Sequence, residues 1–192
     1  LLSGLAAHLK SAGYASVATR EPGGTALGNR LRATFVDPGL EIDPLAEALI
    51  ISASRAQHIT EIIEPALANG RWVLCDRFVA ATLAYQGYGR GVDLATLRLL
   101  AGIATRGRAP DLTLLLDIDT DLSRERVRAR ASESGEAVDR VEREDAAFHT
   151  RVREGYLALA RDDATFVTLD GSMPQSALLT AAWRVLHAEF GV

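Results

Sequence analysis

Trp72-Val73-Leu74-Cys75-Asp76-Arg77-Phe78, followed closely by Tyr85-Gln86-Gly87-Tyr88-Gly89-Arg90-Gly91, decides how the rest of the chain is read. The first stretch is a short apolar run behind Asn69-Gly70, which predicts a buried strand that ends in an acid and an arginine. A helix and a glycine-rich loop are expected after it. An Asp-Arg pair at the mouth of a parallel sheet suits phosphate chemistry, because the Asp76 carboxylate can hold a magnesium ion through water and the Arg77 guanidinium can clamp phosphate oxygens. Against this stands the absence, within the 192 residues, of a Gly-x-x-x-x-Gly-Lys-[Ser/Thr] loop, the usual cradle for triphosphates in such chemistry.

Outward from this stretch, strands and helices alternate. The apolar spacing predicts a helix over residues 1–12 stopped by Gly13, a strand over 14–20, a helix over 26–35, and a long helix over 44–69 bent near Glu64-Pro65. The strand at 71–75 comes next, then a helix over 94–105 and an apolar strand over 111–117 that also ends in an acid. A basic helix begins at 124–130, a mobile loop is expected over 132–137, and helix 146–161, strand 165–169 and helix 174–190 complete the series. The strands are short continuous apolar runs rather than alternating ones, which predicts an α/β fold with a parallel sheet covered by helices on both faces, three layers in all. Ligands in such folds gather at the carboxyl ends of the strands. With no repeat, linker or low-complexity tract, residues 1–192 are read as a single domain.

Hydrophobic residues make up 48% of the chain and charged residues 24%, the balance of a globular protein. A formal net charge of −4 points to neither nucleic acid nor an anionic membrane as partner, so a bound anion must be met by local arginines. The single cysteine, Cys75, excludes an internal disulfide and suits a reducing cytoplasm. No apolar run reaches membrane-spanning length. The chain opens directly on Leu1-Leu2-Ser3-Gly4-Leu5, a helical pattern with no strand before it, so a first strand and its phosphate loop are expected to be missing from these residues.

Arg20-Glu21-Pro22-Gly23-Gly24-Thr25 sets two charged groups beside a stiff proline and two glycines, a backbone that can approach a ligand closely or simply an ordinary strand-to-helix turn. Taken with Ser54-Arg55-Ala56-Gln57-His58, Cys75-Asp76-Arg77-Phe78 and Ala84-Tyr85-Gln86-Gly87-Tyr88-Gly89-Arg90-Gly91, in this order, the turn gives a chain that resembles the thymidylate kinase family over nearly its whole length. The resemblance implies a P-loop nucleoside monophosphate kinase fold with a lid segment at about 124–143, transfer of the terminal phosphate of ATP to dTMP with Mg2+, and a homodimer.

Residue by residue, the resemblance implies that Arg77 contacts the acceptor phosphate and that Asp76 lies near the metal. It implies that Arg55 donates to a thymine carbonyl, that Thr82 and Gln86 read the remaining base edge, and that Tyr85 packs on the sugar and leaves no room for a 2′-hydroxyl. Glu21, Pro22 and Arg32 match the wall of the monophosphate pocket. Each has a plainer alternative: Arg55 as a surface helix residue near Glu47 and Glu61, Tyr85 as a core aromatic, Arg32 as a surface arginine. His58 is read as helix surface or a dimer contact, without chemistry.

The lid match covers Arg124-Glu125-Arg126-Val127-Arg128-Ala129-Arg130 and Asp139-Arg140-Val141-Glu142. At helical spacing Arg126 and Arg130 share one face and Arg124 and Arg128 another. Arg126, Arg128, Arg130 or Arg140 neutralises charge on the transferring phosphoryl group, or the segment is a solvated helix pairing its arginines with Glu125 and Glu133. One departure stands out: the family's base-stacking aromatic falls at Ile51, which covers a ring by dispersion but has no π face. Without the phosphate loop the chain is expected to be nearly inactive. Another nucleoside monophosphate kinase and a catalytically inactive nucleotide-binding protein are the competing readings.

Overall fold

The computed structural model describes residues 1–134 and 139–192, apart from the side chains of Arg130, Glu133 and Ser134. Four strands, β1 (Ser16–Arg20), β2 (Trp72–Asp76), β3 (Thr113–Asp117) and β4 (Phe166–Asp170), alternate with helices. They form two parallel pairs, β1 with β2 and β3 with β4, rather than one continuous sheet. In the first pair Arg20 stands opposite Asp76, and in the second Asp117 stands opposite Asp170. Each pair therefore brings its charged ends together.

Helices α1 (Leu2–Ser11) and α9 (Gln175–Phe190) cover one face of both pairs. Leu5, Ala182 and Leu186 pack there with Trp72 and Leu74 of β2, Leu114 of β3 and Leu169 of β4. Burial of this shared apolar surface, at about 25 cal/mol per Å², ties the two pairs into one body. Of the remaining helices, α8 (Ala146–Asp162) packs on β3 and β4, α7 (Thr120–Ser134) packs on α8, and α3 (Pro44–His58) packs with α2 (Ala26–Val36) and α6 (Leu94–Thr105).

The helix starts are set locally. Thr25 accepts from Gly28 N at 2.9 Å, Asp43 caps α3 ahead of Pro44, Asp93 caps α6, and Asp145 accepts from Phe148 N at 2.7 Å. Each supplies an acceptor for an amide that the helix leaves unpaired.

Three expectations are corrected. The long helix continues beyond His58 as a π-helical turn, Ile59–Ile63, before α4 (Glu64–Ala68), so the irregularity precedes Pro65. The glycine-rich stretch is no loop: α5 (Val79–Thr82) runs into a π-helical segment, Leu83–Gly89. Its glycines are there for close packing, since a Cβ on Gly89 would stand 2.7 Å from the Phe148 ring and one on Gly87 would stand 2.5 Å from Leu94. Of the expected loop at 132–137, residues 132–134 are the end of α7, while residues 135–138, also part of the expected lid, lie outside the described residues. Among the described residues no helix is long and apolar enough to cross a membrane.

Candidate active site

The turn after β1 meets α3 in a buried polar cluster. Glu21, which is 2% exposed, accepts from Arg55 Nε at 2.7 Å and from His58 Nδ1 at 2.8 Å. The carboxylate offers no proton, so Nδ1 is the donor. The other face of the imidazole bonds Thr19 Oγ1 at 2.7 Å through Nε2. Ser54 Oγ accepts from Gly23 N at 3.1 Å, and Gly24, at φ +79°, lies against the His58 ring. His58 is thus fully buried and joined to the site, which corrects its reading as surface. The Glu21-Pro22 peptide is cis, and Arg32 reaches back to the Pro22 carbonyl at 3.3 Å.

Arg55 is 1% exposed, which excludes the surface alternative. Its Nη2 donates to Thr82 Oγ1 at 3.0 Å, while Nη1 is buried without a partner. Gln86 presents the complementary case: Nε2 donates to Glu47 Oε2 at 2.9 Å, and Oε1 is buried and unpaired. Glu47, Ile51 and Arg55 recur every fourth residue on one face of α3, opposite Gln86 and Thr82. Two polar rungs, Glu47 to Gln86 and Arg55 to Thr82, connect these elements, and each rung carries one unused hydrogen-bonding atom. An unpaired buried polar atom is costly unless a ligand or water completes it.

At the end of β2 the chain turns sharply. Arg77 has φ +68°, a left-handed conformation uncommon for a residue with a side chain. Its guanidinium lies 4.8 Å from the centroid of the Tyr85 ring. Tyr85 in turn meets Phe148 and Tyr156 edge-on. Burial holds the Tyr156 phenol above its usual range, so the hydroxyl keeps its proton beside Arg77.

Among the described residues no side chain is hydrogen-bonded to the Asp76 carboxylate, which is exposed at the strand end. A single free carboxylate suits magnesium, which keeps several waters and takes its remaining oxygens from phosphates. Glu21, His58 and Cys75 also bring ligating atoms within 4.8 Å of one another, but both Glu21 oxygens are bonded to Arg55 and His58. Burial first, then the Glu21 and Asp76 charges, raise the Cys75 thiol well above its ordinary range, which disfavours the thiolate a metal would need.

Beyond Arg77 a cavity of about 510 Å³ opens between the end of β3, α7 and α8, reached by Arg77, Tyr85, Arg124, Arg128 and Tyr156. Of the two arginine faces on α7, the one bearing Arg124 and Arg128 therefore lines the cavity. Arg126 does not: its Nη1 and Nη2 donate to the carbonyls of Gly171 at 2.7 Å and Ser172 at 3.0 Å, past β4. The Arg130 side chain lies outside the described residues. Arg140 is engaged with Glu47 Oε1 at 2.6 Å and with the Phe35 carbonyl at 3.0 and 3.1 Å. In this structure it braces the polar rungs instead of standing over the cavity.

Ile51 is 6% exposed and packs with Phe35, Ala84, Phe148 and Val152. Sequence reasoning left out Glu47, Arg90 and Arg153. Arg90 pairs with Glu47 at 3.2 Å and Glu144 at 2.7 Å, and Arg153 holds both oxygens of Asp117. The position of Glu47, two helical turns before Arg55, was the available signal.

The family model for thymidylate kinase matches residues 2–181. The chain is 46% identical over 183 residues to a thymidylate kinase of Deinococcus radiodurans, covering 95% of this chain and 86% of that protein. It is 47% identical over 167 residues to one of Carboxydothermus hydrogenoformans, covering 87% and 79% respectively. A Desulfovibrio desulfuricans thymidylate kinase is 48% identical over 174 residues, covering 88% and 80%. With the motif turns, the buried arginine rung and the parallel strand ends all in place, the chain belongs to the thymidylate kinase family.

Proposed function

We propose that this protein transfers the terminal phosphate of ATP to dTMP, giving dTDP and ADP for dTTP synthesis. One observation carries the reading of the base: Arg55 offers a free buried donor, Nη1, and Gln86 a free buried acceptor, Oε1. Thymine presents a carbonyl acceptor beside an N–H donor on its pairing edge and completes both. Cytosine presents an amino group and a ring nitrogen there, the reverse pattern, and would leave both unsatisfied.

The remaining roles follow from position. Tyr85, clamped among Arg77, Phe148 and Tyr156, presents a fixed ring to the sugar. Arg77, held by the left-handed turn, neutralises the acceptor phosphate, with Arg32 and the Glu21-Pro22 turn as the pocket wall. Asp76 would hold Mg2+ through water, and that ion would draw charge from the phosphate oxygens. An oxygen of the dTMP phosphate attacks the γ-phosphorus in line. The new P–O bond forms as the bond to the β,γ-bridging oxygen breaks, and ADP leaves without a covalent enzyme intermediate. Among the described lid side chains, Arg128 lines the cavity and is placed to meet that charge, with Arg124 beside it.

The two parallel pairs under one apolar layer support a single domain. A homodimer is supported by exposed leucines and isoleucine on two helices packed together: Leu45 and Leu49 on α3, Leu99 and Ile103 on α6. A cytoplasmic setting is part of the same proposal. The test is a phosphorylation panel of dTMP, dUMP, dCMP and dGMP with ATP and Mg2+ on the native protein. Preference for dTMP is expected; equal or better use of dCMP or dGMP would overturn the assignment, and sedimentation as a monomer would overturn the dimer.

A further inference from the structure

Glu47 is almost fully buried and collects three donors from different parts of the chain. Gln86 Nε2 donates to Oε2 at 2.9 Å, Arg140 Nη1 to Oε1 at 2.6 Å, and Arg90 approaches at 3.2 to 3.4 Å. Glu144 balances Arg90 at 2.7 Å, so two acids and two arginines neutralise one another around the Gln86 amide. Arg140 is further fixed by the Phe35 carbonyl and by its position over the Phe35 ring, 5.3 Å from the centroid.

A primary amide has two opposite ends, and a terminal flip exchanges donor for acceptor with little change in shape. An ionised carboxylate accepts and never donates. Glu47 therefore compels Gln86 to turn its NH2 group inward and leaves Oε1 as the atom aimed away from the network. We propose that Glu47 is the specificity-positioning residue of this site: by locking the Gln86 amide as an acceptor it selects a base edge that carries an N–H. Arg90 and Arg140 hold the Glu47 carboxylate in place. This inference rests on the reading of the site as a dTMP pocket. It adds that discrimination against a cytosine edge resides in a carboxylate that does not touch the base.

The test is equilibrium titration of dTMP and dCMP into the parent protein, E47Q, Q86A and the double variant, with thermal melts to confirm that each is folded. A carboxamide at position 47 can donate as well as accept, so E47Q frees the Gln86 amide to flip. The expected result is about tenfold weaker dTMP binding, the size of one hydrogen bond, and a dTMP-to-dCMP preference reduced by a similar factor. In the Q86A background E47Q is expected to change that preference less than twofold, because Glu47 acts through Gln86. Unchanged preference in E47Q, or equal effects with and without Gln86, would overturn the proposal. If E47Q does not fold, E47D, which keeps the charge and withdraws the oxygens by one methylene, is carried through the same cycle under the same criteria. A parent protein with no preference for dTMP would instead refute the assignment of the pocket.

Discussion

Glu21 and Arg55 meet through a bond of 2.7 Å between Oε2 and Nε, with both side chains almost completely shielded from water. The pair joins the turn after β1 to the last turn of α3, and the second Glu21 oxygen holds His58 on the same helix. A carboxylate so placed does two things. It compensates a guanidinium that could not otherwise be buried, and it uses up Nε so that the terminal nitrogens point to Thr82 and to the open Nη1 position.

Glu21→Gln keeps the shape and removes the charge. Breaking a buried pair from one side costs about 3–5 kcal/mol, because the remaining charge stays desolvated. The expected outcome in urea denaturation is a loss of about 3 kcal/mol or more, with dTMP binding weakened as Arg55 loses its orientation. A loss below about 1 kcal/mol would mean that Arg55 finds another partner and that Glu21 is not what fixes it.

Gly89→Ala tests the packing of the π-helical segment on α8. The added Cβ would stand 2.7 Å from Phe148 and 2.9 Å from Val152, both in the buried core. Overpacking of this kind costs about 1–3 kcal/mol, so a lower melting temperature is expected. Because Phe148 also meets the Tyr85 ring, dTMP affinity should fall as well. A melting temperature equal to that of the parent would show that α8 yields at no cost.

That segment also marks the boundary of what the sequence disclosed. The strand at 72–76, its terminal Asp-Arg, and helices such as 94–105 were legible because short apolar runs and capping acids act locally. From sequence alone Tyr85 to Gly91 has the pattern of a loop, because glycines ordinarily break helices. Here their value is the absent Cβ, which lets α8 and α6 approach, and that depends on partners far along the chain. Arg55, Thr82 and Gln86 were found through motif resemblance, whereas Glu47 and His58 were missed. A buried acid and a buried histidine on a helix look like surface residues until the elements that satisfy them are brought alongside.

Asp117 and Arg153 supply a pH dependence with a defined sign. Hydrogen bonds from Arg153, opposed by partial burial, hold the Asp117 carboxyl below its ordinary value of 3.8. A carboxyl depressed in the folded state adds stability that is fully present above the unfolded value and is lost as pH falls through the folded one. Arg153→Met is therefore expected to lower the melting temperature at pH 7 and to have a progressively smaller effect as pH falls below 3.8, where the parent itself loses the contribution. An equal change throughout this range would assign the effect to packing of the long side chain instead of the ion pair.

Ile51 presents the sharpest contrast with the family resemblance, which places an aromatic ring at this position. It lies on the α3 face between Glu47 and Arg55, yet it packs with Phe35, Ala84, Phe148 and Val152 and is 6% exposed. Two phenyl rings already occupy this cluster, so a third at position 51 would have to displace one of them. Ile51→Phe is expected to destabilise the protein by about 1–3 kcal/mol and to improve dTMP affinity by less than twofold. The measurement is a paired melt and titration. Tighter binding with an unchanged melt would mean that the base pocket has space for a ring at position 51 and that isoleucine leaves it underfilled. A destabilised variant with unchanged affinity would mean that Ile51 belongs to the core and that base affinity comes from the Arg55 and Gln86 rungs.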